Sequence, residues 1–367
     1  MTDAMCRWGI LGTAGIARKN WQAIRNTGNA TLTAVASRTV DRAQQFISEC
    51  SATVPYPTAP AALGSYDELL TRRDVDAIYI PLPTGLRKEW VIKAAKAGKH
   101  VLVEKPVGIS AGDVEEMLAA CRQSNVQFMD GVMFMHSSRL PSLRKTLDDG
   151  VSVGQIRRIG MQFSFNGGEP FIAGNIRSNS ELEPHGCLGD LGWYTIRFAL
   201  WTMQYEMPIK VSARMLAQAG RPDSPSPVPT EFSAELFFPN NVTASFYCSF
   251  QTENQQWASI SGTTGHVLVP DFVLPYFGDD VRYRVTNSQF VVSGCQFDME
   301  ERGRTVALPE HSNNHPNAQE TQLFRTFSQL VLSGQPDGHW GDITLKTQRV
   351  MDACFASAKD NGHLITL

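Results

Sequence analysis

The stretch Trp8–Ala17, "WGILGTAGIA", decides the fold. An apolar strand, Trp8 to Leu11, runs straight into a turn of small residues, and Ile16 to Arg25 reads as the helix that follows. Against the dinucleotide fingerprint G-x-G-x-x-G/A the matching positions are Gly12, Ala14 and Ala17, with alanine in place of the second glycine. A small residue there still lets the backbone approach a pyrophosphate, and the third position needs only tight helix–strand packing. The free N–H groups and positive dipole end of the helix would face the phosphates, with Thr13, Gly15 and Ile16 completing the turn.

The pattern repeats outward. Thr31–Ser37 is a second strand and Arg42–Cys50 a second helix. A short helix from Tyr66 precedes a third strand, "VDAIYIPL" (Val75–Leu82), and the helix Trp90–Ala97 is closed by Gly98. "HVLVE" is a fourth strand, Ser110 and Asp113 open a helix to Cys121, and "VQFMDG" ends the region. Short apolar strands alternating with helices indicate a parallel sheet covered on both faces. From about Gly154 the runs become alternating and β-rich, as in "IRRIGMQFSF", "EFSAELFF" and "VTASFYCSF". Helices return at Gln319–Ser333 and Thr344–Ala358, and a Pro/Ser-rich loop spans Gly220–Thr230. The expected fold class is α/β: a doubly wound parallel sheet of Rossmann type (1–129), then an α+β domain on a large, mainly antiparallel open sheet (130–367).

Bulk composition agrees with two ordinary globular domains. Of 367 residues, 42% are hydrophobic and 19% charged, and the net charge is −3, so no basic surplus suggests a nucleic-acid or membrane partner. The seven cysteines are scattered and never form CxxC, which suits reduced thiols in the cytoplasm better than disulfides or a zinc site. His311 and His315 have HxxxH spacing but lie in polar "HSNNHP" without acidic companions, so no metal is expected. The apolar N-terminal run has Asp3 before it and its basic residues Arg18 and Lys19 after it, opposite to a leader peptide, so a retained segment is expected.

The end of the second strand discriminates between cofactors. NAD-selective sites place Asp or Glu there for the ribose 2′-OH, whereas this chain has Ser37 and Arg38. A hydroxyl and a guanidinium suit a 2′-phosphate, so NADP is the expected cofactor, with NAD as the alternative. Ligands in such sheets bind beyond the carboxyl ends of the strands, which places Pro81, Leu82, Glu104 and Lys105 toward the nicotinamide. Downstream, "ELEPHGCLGDLGWYTIRFALW" sets Asp190 and Tyr194 four apart, on one face of a helix, among glycines.

"EKP" after a Rossmann strand, followed some eighty residues later by G-x-L-x-D-x-G-x-Y, resembles the Gfo/Idh/MocA oxidoreductases. The resemblance covers most of the chain. It implies that Lys105 and Tyr194 flank the reacting carbonyl or carbinol, that Asp190 positions them, and that Arg177 and His185 contact substrate. It also implies a homo-oligomer, dimer or tetramer, built through the exposed face of the second sheet. The chain departs from the family pattern at Pro83-Thr84-Gly85-Leu86-Arg87, Asp130 and Pro184-His185-Gly186. The implied reaction is hydride transfer between nicotinamide and a secondary alcohol or carbonyl of a sugar, polyol or dihydrodiol. The alternatives are redox-assisted glycoside cleavage and a non-catalytic cofactor sensor. The chemistry of the pair is sound in itself. A free phenol (pKa ~10) is a poor base at neutral pH, and a nearby ammonium favours its ionised form and stabilises an alkoxide.

Overall fold

The structure is a computed structural model that describes residues 4–367; Asp3, weighed above, lies outside them. The chain forms two compact units. The first holds β1 (Cys6–Leu11), α1 (Gly15–Asn26), β2 (Ala30–Ala36), α2 (Val40–Thr53), β3 (Ala61–Leu63), α3 (Tyr66–Thr71), β4 (Ala77–Ile80), α4 (Thr84–Lys96), β5 (His100–Val103), α5 (Ala111–Gln123) and β6 (Phe128–Asp130). Its six strands are all parallel in the order β3-β2-β1-β4-β5-β6. The order reverses between β1 and β4, and that reversal opens a ligand crevice beyond their carboxyl ends. Gly98, in the left-handed region at φ +72°, follows α4 as expected, and the Ser110 hydroxyl caps α5 by accepting from the Asp113 N–H at 3.3 Å.

The second unit contains α6 (Arg139–Asp148), β7 (Ile156–Asn166), α7 (Gly168–Gly174), α8 (Trp193–Thr202), β8 (Lys210–Ala219), β9 (Val228–Phe237), β10 (Thr243–Ser249), β11 (Gln251–Gly262), β12 (His266–Val269), β13 (Asp280–Ser293) and β14 (Gln296–Pro309). Further along the chain come α9 (Gln319–Ser333), α10 (His339–Lys359) and β15 (Ile365–Thr366). The nine-stranded open sheet runs β14-β13-β12-β11-β7-β10-β9-β8-β15 and is antiparallel throughout except for the β7–β10 pair. Every residue of α8 is buried, and Phe198 packs edge-on against Phe272 with ring centroids 5.1 Å apart. A helix buried on every side, predominantly apolar but carrying Thr195, Arg197 and Thr202 inside, is a core element.

The boundary expected at 129/130 is corrected in two respects. The first unit runs on to His136, and the chain returns to it at 181–184 and 313–349. The cause of the second return is Trp8. Its buried indole donates to the Ser328 hydroxyl at 3.0 Å and meets the rings of Phe324 and Phe327, both at 5.0 Å, so α9 completes the core beneath β1. Helix α4 begins at Thr84, six residues before the expected start, and the short edge strand β3 and the β13–β14 hairpin were not anticipated. Among the described residues no helix is long and apolar enough to cross a membrane, and the seven cysteines are all free thiols.

Candidate active site

The β1–α1 turn is shaped for a diphosphate. Gly12 sits at φ +113°, and a Cβ there would lie 2.9 Å from Leu82 Cδ2 at the end of the neighbouring β4 chain, so both backbone and space require glycine. Ala14 is the N-cap of α1 and makes no side-chain capping bond, and the first turn carries no acidic residue. Nothing approaches the Cβ position of Gly15 within 4 Å. The first N–H groups of α1 are thus left for an anion, which is the fit a nicotinamide dinucleotide requires.

At the end of β2, the buried Ser37 hydroxyl lies 3.2 Å from that of Thr13. Arg38 is exposed, and the Thr39 side chain accepts from the Arg42 N–H, starting α2. Neither Arg38 nor Arg42 forms an ion pair with a carboxylate among the described residues. Both lie close enough to the Tyr66 hydroxyl to oppose the upward shift that burial gives it. A patch of uncompensated guanidinium charge therefore stands where an NAD-selective site would carry a carboxylate.

The end of β5 is held from two sides. On one, Tyr79 donates to Glu104 Oε1 at 2.6 Å and accepts from Asn20 Nδ2 at 2.6 Å. Burial pushes the Tyr79 hydroxyl well above its ordinary range, and the Glu104 charge adds to this, so Tyr79 stays a donor. The other carboxylate oxygen accepts from the Lys105 N–H at 3.3 Å, and Gly131 leaves room for the whole group, since a Cβ there would sit 3.0 Å from it. On the other side, the Lys105–Pro106 peptide is cis. Arg87 donates to the Pro106 carbonyl and, through Nε, to the Leu82 carbonyl at 2.7 Å. Thr84 accepts from Arg87 at 3.0 Å and donates to Glu183 Oε2 at 2.6 Å, while its N–H donates to Glu183 Oε1 at 3.1 Å. The departures at Thr84 and Arg87 thus build a clamp on the turn that carries half-buried Lys105.

Asp190 and Tyr194 lie in the second unit. Gly186 has φ +46°, and a Cβ there would come 2.1 Å from the Pro229 carbonyl oxygen, so the chain can pass that point only as glycine. Leu188–Gly192 is a π-helical turn that leads directly into α8, and such turns occur frequently at functional sites. Asp190 Oδ2 accepts from Arg177 Nε at 2.7 Å, with Arg177 standing on a short 3-10 turn whose N–H is held by Asn175 Oδ1. Within its own unit the Asp190 carboxylate therefore serves Arg177, a pairing the sequence reading did not assign. Tyr194 is 7% exposed, with its ring against Phe163 at 5.7 Å.

His185 is 4% exposed, its ring meets Phe355 edge-on at 4.9 Å, and its Nδ1 has no hydrogen-bond partner among the described residues. Burial, with a smaller contribution from Lys359, pushes the imidazole down to about 4. An unfolded chain would take up that proton near the ordinary value of ~6.5, so this site contributes stability above pH ~6.5 that is lost as pH falls toward about 4. The expected loss reaches about 3 kcal/mol. Urea midpoints at pH 7 and pH 5 should differ less in His185→Gln than in the parent; equal differences would refute the assignment.

Sequence reasoning named Gly12, Thr13, Ala14, Gly15, Ile16, Ser37, Arg38, Pro81, Leu82, Glu104 and Lys105, and the structure collects them in the first unit at the carboxyl ends of β1, β2, β4 and β5 and at the start of α1. It places Arg177, His185, Asp190 and Tyr194 in the second unit. Tyr79, Asn20 and Glu183 were missed, and Thr84 and Arg87 were named only as departures from the family pattern, without their part in the clamp. A signal existed for Tyr79, since a phenol inside "AIYIPL" must find a partner once its strand is buried.

Comparison with known proteins agrees with this picture. The oxidoreductase family model with an NAD-binding Rossmann fold matches residues 6–132, and the GFO/IDH/MocA C-terminal domain model matches residues 142–268. The chain is similar to dTDP-3,4-didehydro-2,6-dideoxy-alpha-D-glucose 3-reductase of Actinomadura kijaniata, with 29% identity over 96% of each chain. It is 30% identical to D-xylose 1-dehydrogenase (NADP(+)) 2 of Haloferax volcanii over 96% of this chain and 97% of that one. A solved structure of a variant 3-ketoreductase from Actinomadura kijaniata, in complex with TDP-benzene and NADP, aligns with a TM-score of 0.80 at 27% identity, over 96% of this chain and 98% of the other. With its fingerprint turn at the strand-order reversal, its EKP turn after β5 and both domain models matched, the chain belongs to the Gfo/Idh/MocA family of oxidoreductases.

Proposed function

We propose that the chain is an NADP-dependent oxidoreductase that transfers hydride between the nicotinamide and a secondary alcohol or carbonyl of a sugar, polyol or dihydrodiol. The observation that carries this reading is Lys105, an ammonium group on a turn clamped by Glu104 on one side and Arg87 on the other, at the end of the strand beside the nucleotide crevice. Gly12, Thr13, Ala14, Gly15 and Ile16 would hold the diphosphate, Ser37 and Arg38 the 2′-phosphate, and Pro81, Leu82 and Glu104 the nicotinamide end. NADP held there would supply or accept hydride at the substrate carbon. In reduction, Tyr194 gives its phenolic proton to the oxygen as the carbonyl becomes an alkoxide, and Lys105 stabilises the negative charge on both oxygens. Asp190 orients the constellation, and Arg177 and His185 contact substrate hydroxyls.

Incubation with NADPH and keto sugars, or with NADP+ and aldoses, while following nicotinamide absorbance tests the reading. Net oxidation or reduction is expected. Glycoside cleavage without net redox, or binding without either, would overturn it in favour of a hydrolase or a sensor. Cofactor choice has its own test. Arg38→Ala should weaken NADP binding about tenfold to a hundredfold, the worth of a hydrogen bond to a charged group, and leave NAD binding nearly unchanged. Equal affinities of the parent for both cofactors would refute the role of Arg38.

We also read the protein as a cytoplasmic homo-oligomer. Its free thiols suit a reducing compartment. The sheet face that carries half-exposed Tyr247 and Trp257 suits subunit contact.

A further inference from the structure

The β13–β14 hairpin begins as part of the sheet and ends as a free ribbon. Its strands pair without a register shift from Asp280↔Pro309 to Ser293↔Gln296, but β12 accompanies β13 only as far as His266↔Thr286. Beyond that point two strands project alone, and an isolated two-stranded ribbon is marginal in water. The ribbon lies outside both segments matched by the family models.

Its two faces differ. At the root, Val281, Tyr283 and Val285 are buried on one face. At the tip the opposite face carries the cross-strand pairs Phe290↔Met299 and Val292↔Phe297, all four more than half exposed, with the Phe290 and Phe297 rings 6.0 Å apart. The face that is buried at the root bears, along the outer strand, Asp298, Glu300, Arg302 and Arg304, all exposed. The stripe reads minus, minus, plus, plus. Edge strands are guarded by charge when it repels a copy. Here the order does the reverse.

We propose that β14 is a homodimerisation edge that pairs antiparallel with β14 of a second copy about a twofold axis at Glu301. In that register Asp298 faces the other Arg304 and Glu300 the other Arg302, so every charge of the stripe meets its opposite. Antiparallel pairing about a twofold keeps like faces together, which also sets Met299 beside the other Gly303, where the Arg284 guanidinium lies 2.9 Å from the position a Cβ would take. Glu301 meets its own copy on the axis, and each is already neutralised by Arg284 at 2.7 Å. The paired stretch, residues 296–306, is ~34 Å long at ~3.4 Å per residue. A second copy is the occupant because the complement of this stripe, read backwards, is the stripe itself. This contact is separate from the Tyr247 and Trp257 face, and the experiment distinguishes them.

Glu300→Arg and Arg302→Glu each place like charges across the axis, on exposed residues remote from the core. Light-scattering mass after size exclusion should fall by half in either variant. Mixing the two in equal amounts should restore the parental mass. The guanidinium introduced at position 300 of one chain then faces the carboxylate introduced at position 302 of the other, and the unaltered Arg302 of the first faces the unaltered Glu300 of the second. A monomeric parent, single variants that keep the parental mass, or a mixture that fails to reassociate would each overturn the proposal. If the single variants keep the parental mass while substitution of Trp257 lowers it, the sheet-face contact stands and the edge contact falls.

Discussion

Tyr194→Phe is expected to lower kcat about a hundredfold to ten-thousandfold, the usual worth of a positioned general acid, with KM for the sugar changed by no more than about threefold. The substitution removes one oxygen and leaves the ring, so packing of the ring on Phe163 is preserved. That ring lies in a helix with no exposed residue, and because the ring still fills its place and no large cavity opens, the fold should tolerate the change. The lost group acts only when negative charge appears on the substrate oxygen, which is why the effect belongs in kcat and not in ground-state binding. Pre-steady-state hydride transfer, followed by nicotinamide absorbance, separates this from slow product release. An unchanged hydride-transfer rate would remove Tyr194 from the acid role and leave it a core phenol.

The parts of this site that could be read in the sequence are those in which one short segment contains its own reason. Gly12 is legible because a strand, a tight turn and a helix start follow each other within a few residues. Lys105 is legible because an apolar strand ends abruptly in charge and proline. The supports of Lys105 were not legible. Tyr79 and Glu104 are 25 residues apart, Arg87 and Pro106 19 apart, and Thr84 and Glu183 99 apart, so each pairing exists only once the sheet order has brought the segments together. The return of 313–349 to the first unit was hidden for a similar reason, since nothing in α9 announces that its apolar face belongs to Trp8. The hairpin was lost because its buried face and its apolar face are opposite ones at root and tip. The period-two signal therefore breaks halfway along, and the charged outer strand shows no apolar alternation of its own.

Lys105→Met is expected to reduce kcat roughly a thousandfold, because it removes the positive charge that favours phenolate and alkoxide while retaining the length of an unbranched side chain. The turn itself should survive. Pro106 remains bound through its carbonyl to Arg87, and the backbone N–H at position 105 still reaches Glu104, so neither support depends on the ammonium group. Thermal midpoint and NADPH affinity are therefore expected to stay close to the parent while turnover collapses. Lys105→Arg supplies the control for charge alone. It restores a cation but replaces a compact ammonium with a planar fork on the same clamped turn, and recovery should be partial, within about tenfold of the methionine variant. Full recovery by arginine would mean that the site needs only a positive field. Full activity in the methionine variant would mean that the clamp built by Glu104, Tyr79, Arg87 and Thr84 positions the backbone for the nucleotide and not a catalytic side chain.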